Sequence, residues 1–171
     1  MPNPSDPLAL ILMGVSGSGK TAVGEQLSRE LGWPFFDGDD FHPPGNIDKM
    51  AKGIPLNDKD REPWLATLNN LIHQNLKSGC CLVLACSALK QEYRKCLRKG
   101  NPNTIFVYLK GDFDLIFSRM KKRSDHYMKT NMLRSQFEAL QEPQDALVVD
   151  IDKNLDSITK EIMEYLKSSA S

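Results

Sequence analysis

The chain has 171 residues, a length that suits one compact domain with a substantial core. Its 22 Lys and Arg residues balance its 22 Asp and Glu residues, so there is no overall attraction to nucleic acid or to an anionic membrane. The four cysteines form no C-x-x-C pair, which argues against a zinc site and favours a reduced, cytoplasmic setting. We expect neither a signal peptide nor a transmembrane helix, because no basic leader precedes the first apolar run and that run is short.

The N-terminal segment has the order strand, glycine-rich loop, helix. Residues 1–7 are rich in proline and predict a flexible tail, and residues 8–13 form an apolar run typical of a buried parallel strand. Residues 14–21 match the phosphate-binding pattern G-x-x-x-x-G-K-[ST]. A helix is predicted next, ending at Gly32, because apolar residues recur at helical spacing at Val23, Leu27 and Leu31.

The residue types of this loop suit the binding of nucleotide phosphates. Glycines let the backbone curl so that its N–H groups point at phosphate oxygens, and the start of a helix adds partial positive charge. Lys20 can reach the β- and γ-phosphates, and the Thr21 hydroxyl can ligate Mg²⁺. The alternative is a glycine-rich surface turn. The expected nucleotide contacts are Gly14, Ser16, Gly17, Ser18, Gly19, Lys20 and Thr21.

The next part of the chain is the least regular. A second strand is predicted at residues 34–36, ending at Asp37, and residues 38–63 are rich in proline and glycine and form the expected substrate-binding region. This region holds a short helix over about residues 46–52. A longer helix follows, capped by Asp58 or Asp60 and ending at Gly79.

The rest of the chain again alternates strands with helices. Strands are predicted at residues 81–86, 104–109 and 146–151. The helices between them begin at Ser87, at Asp112 and, after a polar basic stretch, near residue 132, and a last helix follows the fifth strand. We therefore predict a single α/β domain over residues 1–171, with three layers: a five-stranded parallel sheet and helices on both faces.

Three segments should meet at the carboxyl ends of the strands, where ligands bind in such folds. They are the loop at 14–21, an acidic cluster at 37–40 and a turn at 86–88. Asp37 directly follows its strand and is best placed for a metal, whereas Asp39 could orient an acceptor hydroxyl or take its proton. The alternative is an exposed acidic turn.

Basic residues and histidines supply further candidates. Arg61 lies at the start of a helix, where a cation is unfavourable unless it has a ligand or a carboxylate partner; the alternative is a surface ion pair. Residues 119–134 hold six basic residues and one acidic residue, which favours a mobile lid that closes over phosphates through Arg119 and Arg123. The alternative is a solvated helix end. His42 and His126 could each bond a polar substrate or be structural.

Several strings in this order resemble the gluconokinase family of small P-loop sugar-acid kinases. Beside the loop, they are Asp37-Gly38-Asp39-Asp40-Phe41-His42-Pro43, Gly53-Ile54-Pro55-Leu56-Asn57-Asp58 with Asp60-Arg61, Cys86-Ser87-Ala88-Leu89-Lys90, and Ser135-Gln136-Phe137. The string at 86–90 and the block at 53–61 are much more specific than the loop itself. The resemblance implies ATP-dependent phosphorylation of D-gluconate to 6-phosphogluconate with Mg²⁺, in the cytoplasm. It also implies a shikimate-kinase-like fold with a closing lid and a homodimer.

The resemblance also assigns roles by position. It implies a catalytic set of Lys20, Asp39 and Arg123, with Thr21 and Asp37 near the metal and Arg119 in the lid. The implied sugar-acid contacts are Asp39, His42, Arg61, Ser87, Lys90, Arg94 and His126. Two rival functions stay open: another small-molecule kinase of the same fold, acting on shikimate, a nucleoside monophosphate or adenylylsulfate, and a nucleotide-binding switch without turnover.

Overall fold

A single parallel sheet organises the chain. The computed structural model describes residues 6–120 and 126–170, with the backbone alone at 126–129 and 170. The strands pair in the order β2-β3-β1-β4-β5, all in parallel. They are β1 (Ala9–Met13), β2 (Phe35–Asp37), β3 (Leu82–Ala85), β4 (Thr104–Lys110) and β5 (Leu147–Asp150). The predicted five-stranded parallel sheet is therefore confirmed, and each strand lies within one residue of its predicted run.

Helices cover both faces of this sheet, as predicted. They are α1 (Lys20–Leu31), α2 (Pro44–Ala51), α3 (Asp58–Lys77), α4 (Gln91–Arg98), α5 (Phe113–Met120), α6 (His126–Ala139) and α7 (Leu155–Ala170). Because side chains alternate along a strand, Ala9, Ile11 and Met13 of β1 join a core cluster with α3 and α4. Leu10 and Leu12 of the same strand join a second cluster with α1, α5, α6 and α7.

The strand order places a crevice at the end of β1. β1 lies between β3 and β4, and β2 and β5 form the two edges of the sheet. The chain moves to one side of β1 to form β2 and β3 and crosses to the other side to form β4 and β5. In such sheets ligands bind where the direction of winding reverses, outside the carboxyl ends of the strands. The loop after β1 opens into this crevice.

Several helix boundaries differ from the sequence prediction. Asn57 caps α3 in place of Asp58 or Asp60: its side chain accepts a hydrogen bond from the Asp60 N–H, and the Asp60 carboxylate accepts one from the Asn57 N–H. α4 begins at Gln91 and not at Ser87, because Ala88 has φ 45°, outside the helical region. α2 begins earlier than expected, at Pro44, a favourable first helical residue. α6 begins at His126, within the stretch predicted to be irregular.

None of the helices in the described parts of the chain is both long enough and apolar enough to cross a bilayer.

The close approach of α1 to β2 should depend on Gly24. A Cβ at Gly24 would lie 2.2 Å from Cε1 of Phe35, whereas a Cβ at Gly45 in α2 would meet no atom within 4 Å. We expect Gly24→Ala to lower the free energy of unfolding by about 1–3 kcal/mol because the core is overpacked. Gly45→Ala should change it by less than about 1 kcal/mol. Urea denaturation of both variants measures this, and equal stabilities would contradict the packing argument.

Candidate active site

The loop between β1 and α1 is closed by its own backbone and tied to the end of β3. The N–H of Ser18 donates to the Val15 carbonyl at 3.2 Å, and the N–H of Gly14 donates to the Ser87 carbonyl at 3.2 Å. Gly14 has φ 147°, and a Cβ there would lie 2.9 Å from the Leu109 carbonyl oxygen. Glycine is therefore required at this position, both for the backbone angle and for space.

Lys20 is held at the mouth of this loop. Its ammonium donates to the carbonyls of Gly14 at 2.9 Å and Val15 at 3.0 Å. Burial lowers the pKa of Lys20, and the nearby carboxylates of Asp39 and Asp37 oppose that shift. The loop thus holds the positively charged ammonium of Lys20 where phosphates would enter.

Thr21 and Asp37 bring two oxygen donors together beside Lys20. The Thr21 hydroxyl donates to Oδ2 of Asp37 at 3.2 Å, while Oδ1 of Asp37 accepts the backbone N–H of Asp39 at 3.0 Å. Hard divalent cations such as Mg²⁺ take oxygen ligands and are commonly bound by one or two carboxylates together with phosphate oxygens. These are the residues at the loop that could hold such a cation.

Two cavities meet at this edge of the sheet. The phosphate cavity, about 510 Å³, is lined by Ser16, Gly17, Gly19, Lys20 and Thr21 of the loop together with Asp37 and Arg119. The Trp64 cavity, about 200 Å³, is lined by His42, Arg61 and Trp64. Asp39 and Ser87 line both cavities. The side chain of Ser18 is buried and, like Gly14, does not line either cavity.

Asp39 is the carboxylate between the two cavities. Its side chain is 82% exposed, although it lies in the concave region where the two cavities meet. Loss of hydration within the cleft raises the pKa of Asp39, Asp37 raises it further, and Lys20 and His42 act in the opposite direction. Asp39 therefore takes up a proton more readily than a freely solvated aspartate does.

His42 is fixed in one orientation by its neighbours. Its ring stacks on Trp64 with centroids 4.2 Å apart and planes 14° apart. Nδ2 of Asn46 donates to the Asp60 carbonyl at 2.9 Å and lies 3.2 Å from Nδ1 of His42, so Nδ1 is an acceptor. The neutral ring then carries its hydrogen on Nε2, which lies 3.9 Å from Oδ1 of Asp39. Burial lowers the pKa of His42, which favours this neutral form.

Arg61 is positioned by a network at the start of α3. Its Nη1 donates to the Tyr93 hydroxyl at 3.1 Å, and its guanidinium lies 5.4 Å from the centroid of the Tyr93 ring. The Tyr93 hydroxyl in turn donates to Asp58, which also pairs with Lys90 at 3.0 Å. The hydrogen bonds from Tyr93 and Lys90 lower the pKa of Asp58. The network keeps Arg61 at the Trp64 cavity, and it pairs Lys90 with Asp58.

Arg94 supports the turn that carries Ser87. It is buried, and its guanidinium donates to the carbonyls of Ala88 at 2.7 Å, Leu89 at 3.2 Å and Gln141 at 2.8 Å. Ala88 has φ 45°, a left-handed conformation that is unfavourable for alanine. Lys90 and Arg94, both predicted as substrate contacts, thus lie outside the two cavities.

The predicted lid is described only in part. Arg119 lines the phosphate cavity and donates from Nη2 to the Ile151 carbonyl at 2.6 Å. Arg123 lies outside the described residues, and for His126 only the backbone, at the start of α6, is described.

Several residues that line the cavities have no role assigned from the sequence, among them Trp64 and Gln136. Trp64 is buried in the core, and it also forms a wall of its cavity and donates from Nε1 to the Gly38 carbonyl at 2.7 Å. Gln136 accepts a hydrogen bond from the Ser16 N–H at 2.6 Å, across 120 positions of sequence. No local pattern connects residues so far apart, and only the resemblance had drawn attention to Gln136.

The fold and the paired cavities define a P-loop kinase of small molecules. A family model described as shikimate kinase matches residues 16–167. The thermoresistant gluconokinase of Escherichia coli K12 is 52% identical over 161 residues, which cover 92% of each chain. The thermosensitive gluconokinase of the same organism is 46% identical over 157 residues, covering 90% of this chain and 84% of the relative.

A solved structure agrees with these relatives. The crystal structure of a gluconokinase from Sinorhizobium meliloti 1021 superposes with a TM-score of 0.87 at 41% identity, covering 96% of this chain and 94% of that one. The chain therefore belongs to the gluconokinase family, within the shikimate-kinase type of P-loop kinases. The resemblance stated from the sequence motifs is confirmed.

The buried stack at His42 should have a measurable pH dependence. We expect the ring to titrate below the ordinary pKa of about 6.5, because protonation would charge a buried group and end the acceptor role of Nδ1. The unfolded chain would then take up this proton first, so the free energy of unfolding should fall as the pH falls below about 6.5. NMR titration of the folded protein measures the pKa of the His42 ring, and the His42→Gln variant assigns its signals. A midpoint at or above 6.5 would contradict the expectation.

Proposed function

We propose that this protein transfers the γ-phosphoryl group of ATP to D-gluconate, giving 6-phospho-D-gluconate and ADP. The observation that carries the proposal is the meeting of the phosphate cavity and the Trp64 cavity at Asp39, with Lys20 on one side and Arg61 on the other. The gluconokinase relatives, at 46–52% identity over most of the chain, support the choice of acceptor.

On the nucleotide side, the loop amides and Lys20 would bind the phosphates of ATP. Lys20 would exchange the carbonyls of Gly14 and Val15 for phosphate oxygens, and Arg119 would add a second cation from α5. Thr21 and Asp37 would hold Mg²⁺, which, when bound, neutralises charge on the phosphates.

On the acceptor side, the Trp64 cavity offers the groups that an anionic polyhydroxy acid requires. Arg61 can bind the gluconate carboxylate with paired N–H donors. The Nε2–H of His42 and the Ser87 hydroxyl can bond sugar hydroxyls, and Trp64 forms an apolar wall. Asp39 would bind the hydroxyl that is phosphorylated.

The transfer is an in-line displacement. The acceptor hydroxyl oxygen forms a bond to the γ-phosphorus, and the bond from that phosphorus to the oxygen bridging to the β-phosphorus breaks, with its electron pair leaving on ADP. The hydroxyl proton passes to Asp39 late in the transfer and then to solvent. The raised pKa of Asp39 suits it to accept that proton.

Some expectations remain predictions of the resemblance. They are the lid over residues 119–134 with Arg123 and His126, the homodimer and the cytoplasmic location. For Lys90 and Arg94 we propose an indirect role, because Lys90 pairs with Asp58 and Arg94 holds the turn at Ala88.

A panel of acceptors tests the proposal. When D-gluconate is the acceptor, wild-type protein with ATP and Mg²⁺ should produce ADP and 6-phospho-D-gluconate. A coupled assay follows the ADP, and ³¹P NMR identifies the phosphorylated product. Shikimate, AMP and adenylylsulfate serve as competing acceptors. Faster transfer to one of these would favour a different kinase, and ATP binding without transfer to any of them would favour a nucleotide-binding switch.

The role of Asp39 has a matched control in its neighbour. Asp39→Asn should lower kcat on gluconate by about 100-fold or more, because the amide cannot take a proton, while the Kd for ATP changes by less than about threefold. Asp40→Asn makes the same change at an exposed residue that lines neither cavity and should leave kcat within about twofold. Equal kcat values for the two variants would remove Asp39 from the mechanism.

A further inference from the structure

Gln136 connects α6 directly to the phosphate loop. Its Oε1 accepts the backbone N–H of Ser16 at 2.6 Å, and its side chain is half-buried. Ser16 lines the phosphate cavity. A glutamine of α6 thus lies against the loop that is expected to hold the phosphates of the nucleotide.

Gln136 also lies where the two cavities join. Among the residues that the structure describes, five line both cavities: Asp39, Met50, Ser87, Met132 and Gln136. Gln136 is the one of these five whose side chain carries N–H donors. Asp39 brings negative charge to the junction, and the two methionines bring apolar surface.

The orientation of the amide follows from its partner. A backbone N–H can only donate, so the group that meets it must be the carbonyl oxygen of Gln136. The NH₂ group therefore points away from Ser16, and no hydrogen bond from it to another described residue is found. Two N–H donors are held at the junction by an amide that is already anchored at its oxygen.

We propose that Gln136 is a catalytic residue that donates from Nε2 to an oxygen of the phosphoryl group during its transfer. In that transfer the phosphorus gains a bond to the acceptor oxygen and loses its bond to ADP, and charge is spread over its three other oxygens. A donor fixed before the reaction stabilises that charge without having to reorganise. The inference rests on the proposed function, since it assumes transfer across this junction.

Replacement of Gln136 by glutamate separates this role from a structural one. Gln136→Glu keeps an oxygen to accept the Ser16 N–H, but it removes the N–H donors and places a negative charge beside the phosphoryl group. We expect Gln136→Glu and Gln136→Ala each to lower kcat by about 100-fold, as for loss of one oriented donor, with the Kd for ATP changed less than about threefold in Gln136→Ala.

Gln141 supplies the matched control. Its Oε1 also accepts a backbone N–H, that of Gln91, at 2.8 Å, but it lines neither cavity. Gln141→Glu should leave kcat within about twofold of the wild type. Full activity of Gln136→Glu together with a loss in Gln136→Ala would show that Gln136 only ties α6 to the loop, and would overturn the proposal, as would full activity of both variants.

A measurement of binding does not depend on the acceptor. ADP with aluminium fluoride mimics the phosphoryl group in transfer, and calorimetry in the presence of Mg²⁺ should show it binding at least tenfold more weakly to Gln136→Ala than to the wild type, with ADP alone unchanged. Equal binding of this mimic would refute the role of Gln136. If the wild type fails to phosphorylate gluconate, the proposed function fails, and this measurement still decides the role of Gln136.

Discussion

The hydrogen bond from the Gly14 N–H to the Ser87 carbonyl joins the phosphate loop to the turn after β3, and the geometry of the site depends on it. The bond forms because β1 and β3 are parallel neighbours whose carboxyl ends lie side by side. The next residue, Ala88, has a left-handed backbone, which costs free energy, and Arg94 stabilises that turn by donating to the carbonyls of Ala88 and Leu89. Ser87 thereby reaches both cavities from a fixed position.

Around this frame, charge is arranged locally in a chain whose total charge is zero. Lys20 is half-buried beside the carboxylates of Asp37 and Asp39, so its positive charge lies among groups that compensate for part of its lost hydration. In the Trp64 cavity, Arg61 is held by its hydrogen bond to the hydroxyl of Tyr93. In the proposed reaction, an anionic nucleotide and an anionic acceptor would each meet a cation there, and Asp39 would lie between them to bind the acceptor hydroxyl.

Local patterns predicted the architecture well. The apolar runs gave the five strands to within a residue, and the glycine-rich loop was recognised because its backbone requirements are local. Predictions were weaker where a boundary depended on distant contacts. α4 begins at Gln91, after the turn in which Ala88 has a left-handed backbone. The cap of α3 lies at Asn57 because a capping box with Asp60 satisfies two backbone N–H groups.

By itself the sequence determined the class of fold, the phosphate loop with Lys20 and Thr21, and the family, since each depends on residue types at fixed spacing along the chain. Only the tertiary structure decided which side chains face one another. It pairs Lys90 with Asp58, directs the guanidinium of Arg94 to backbone carbonyls, and brings Oε1 of Gln136 to the Ser16 N–H. These pairings depend on how helices pack on the sheet, and that packing sums contacts between residues far apart in sequence, which no local spacing encodes.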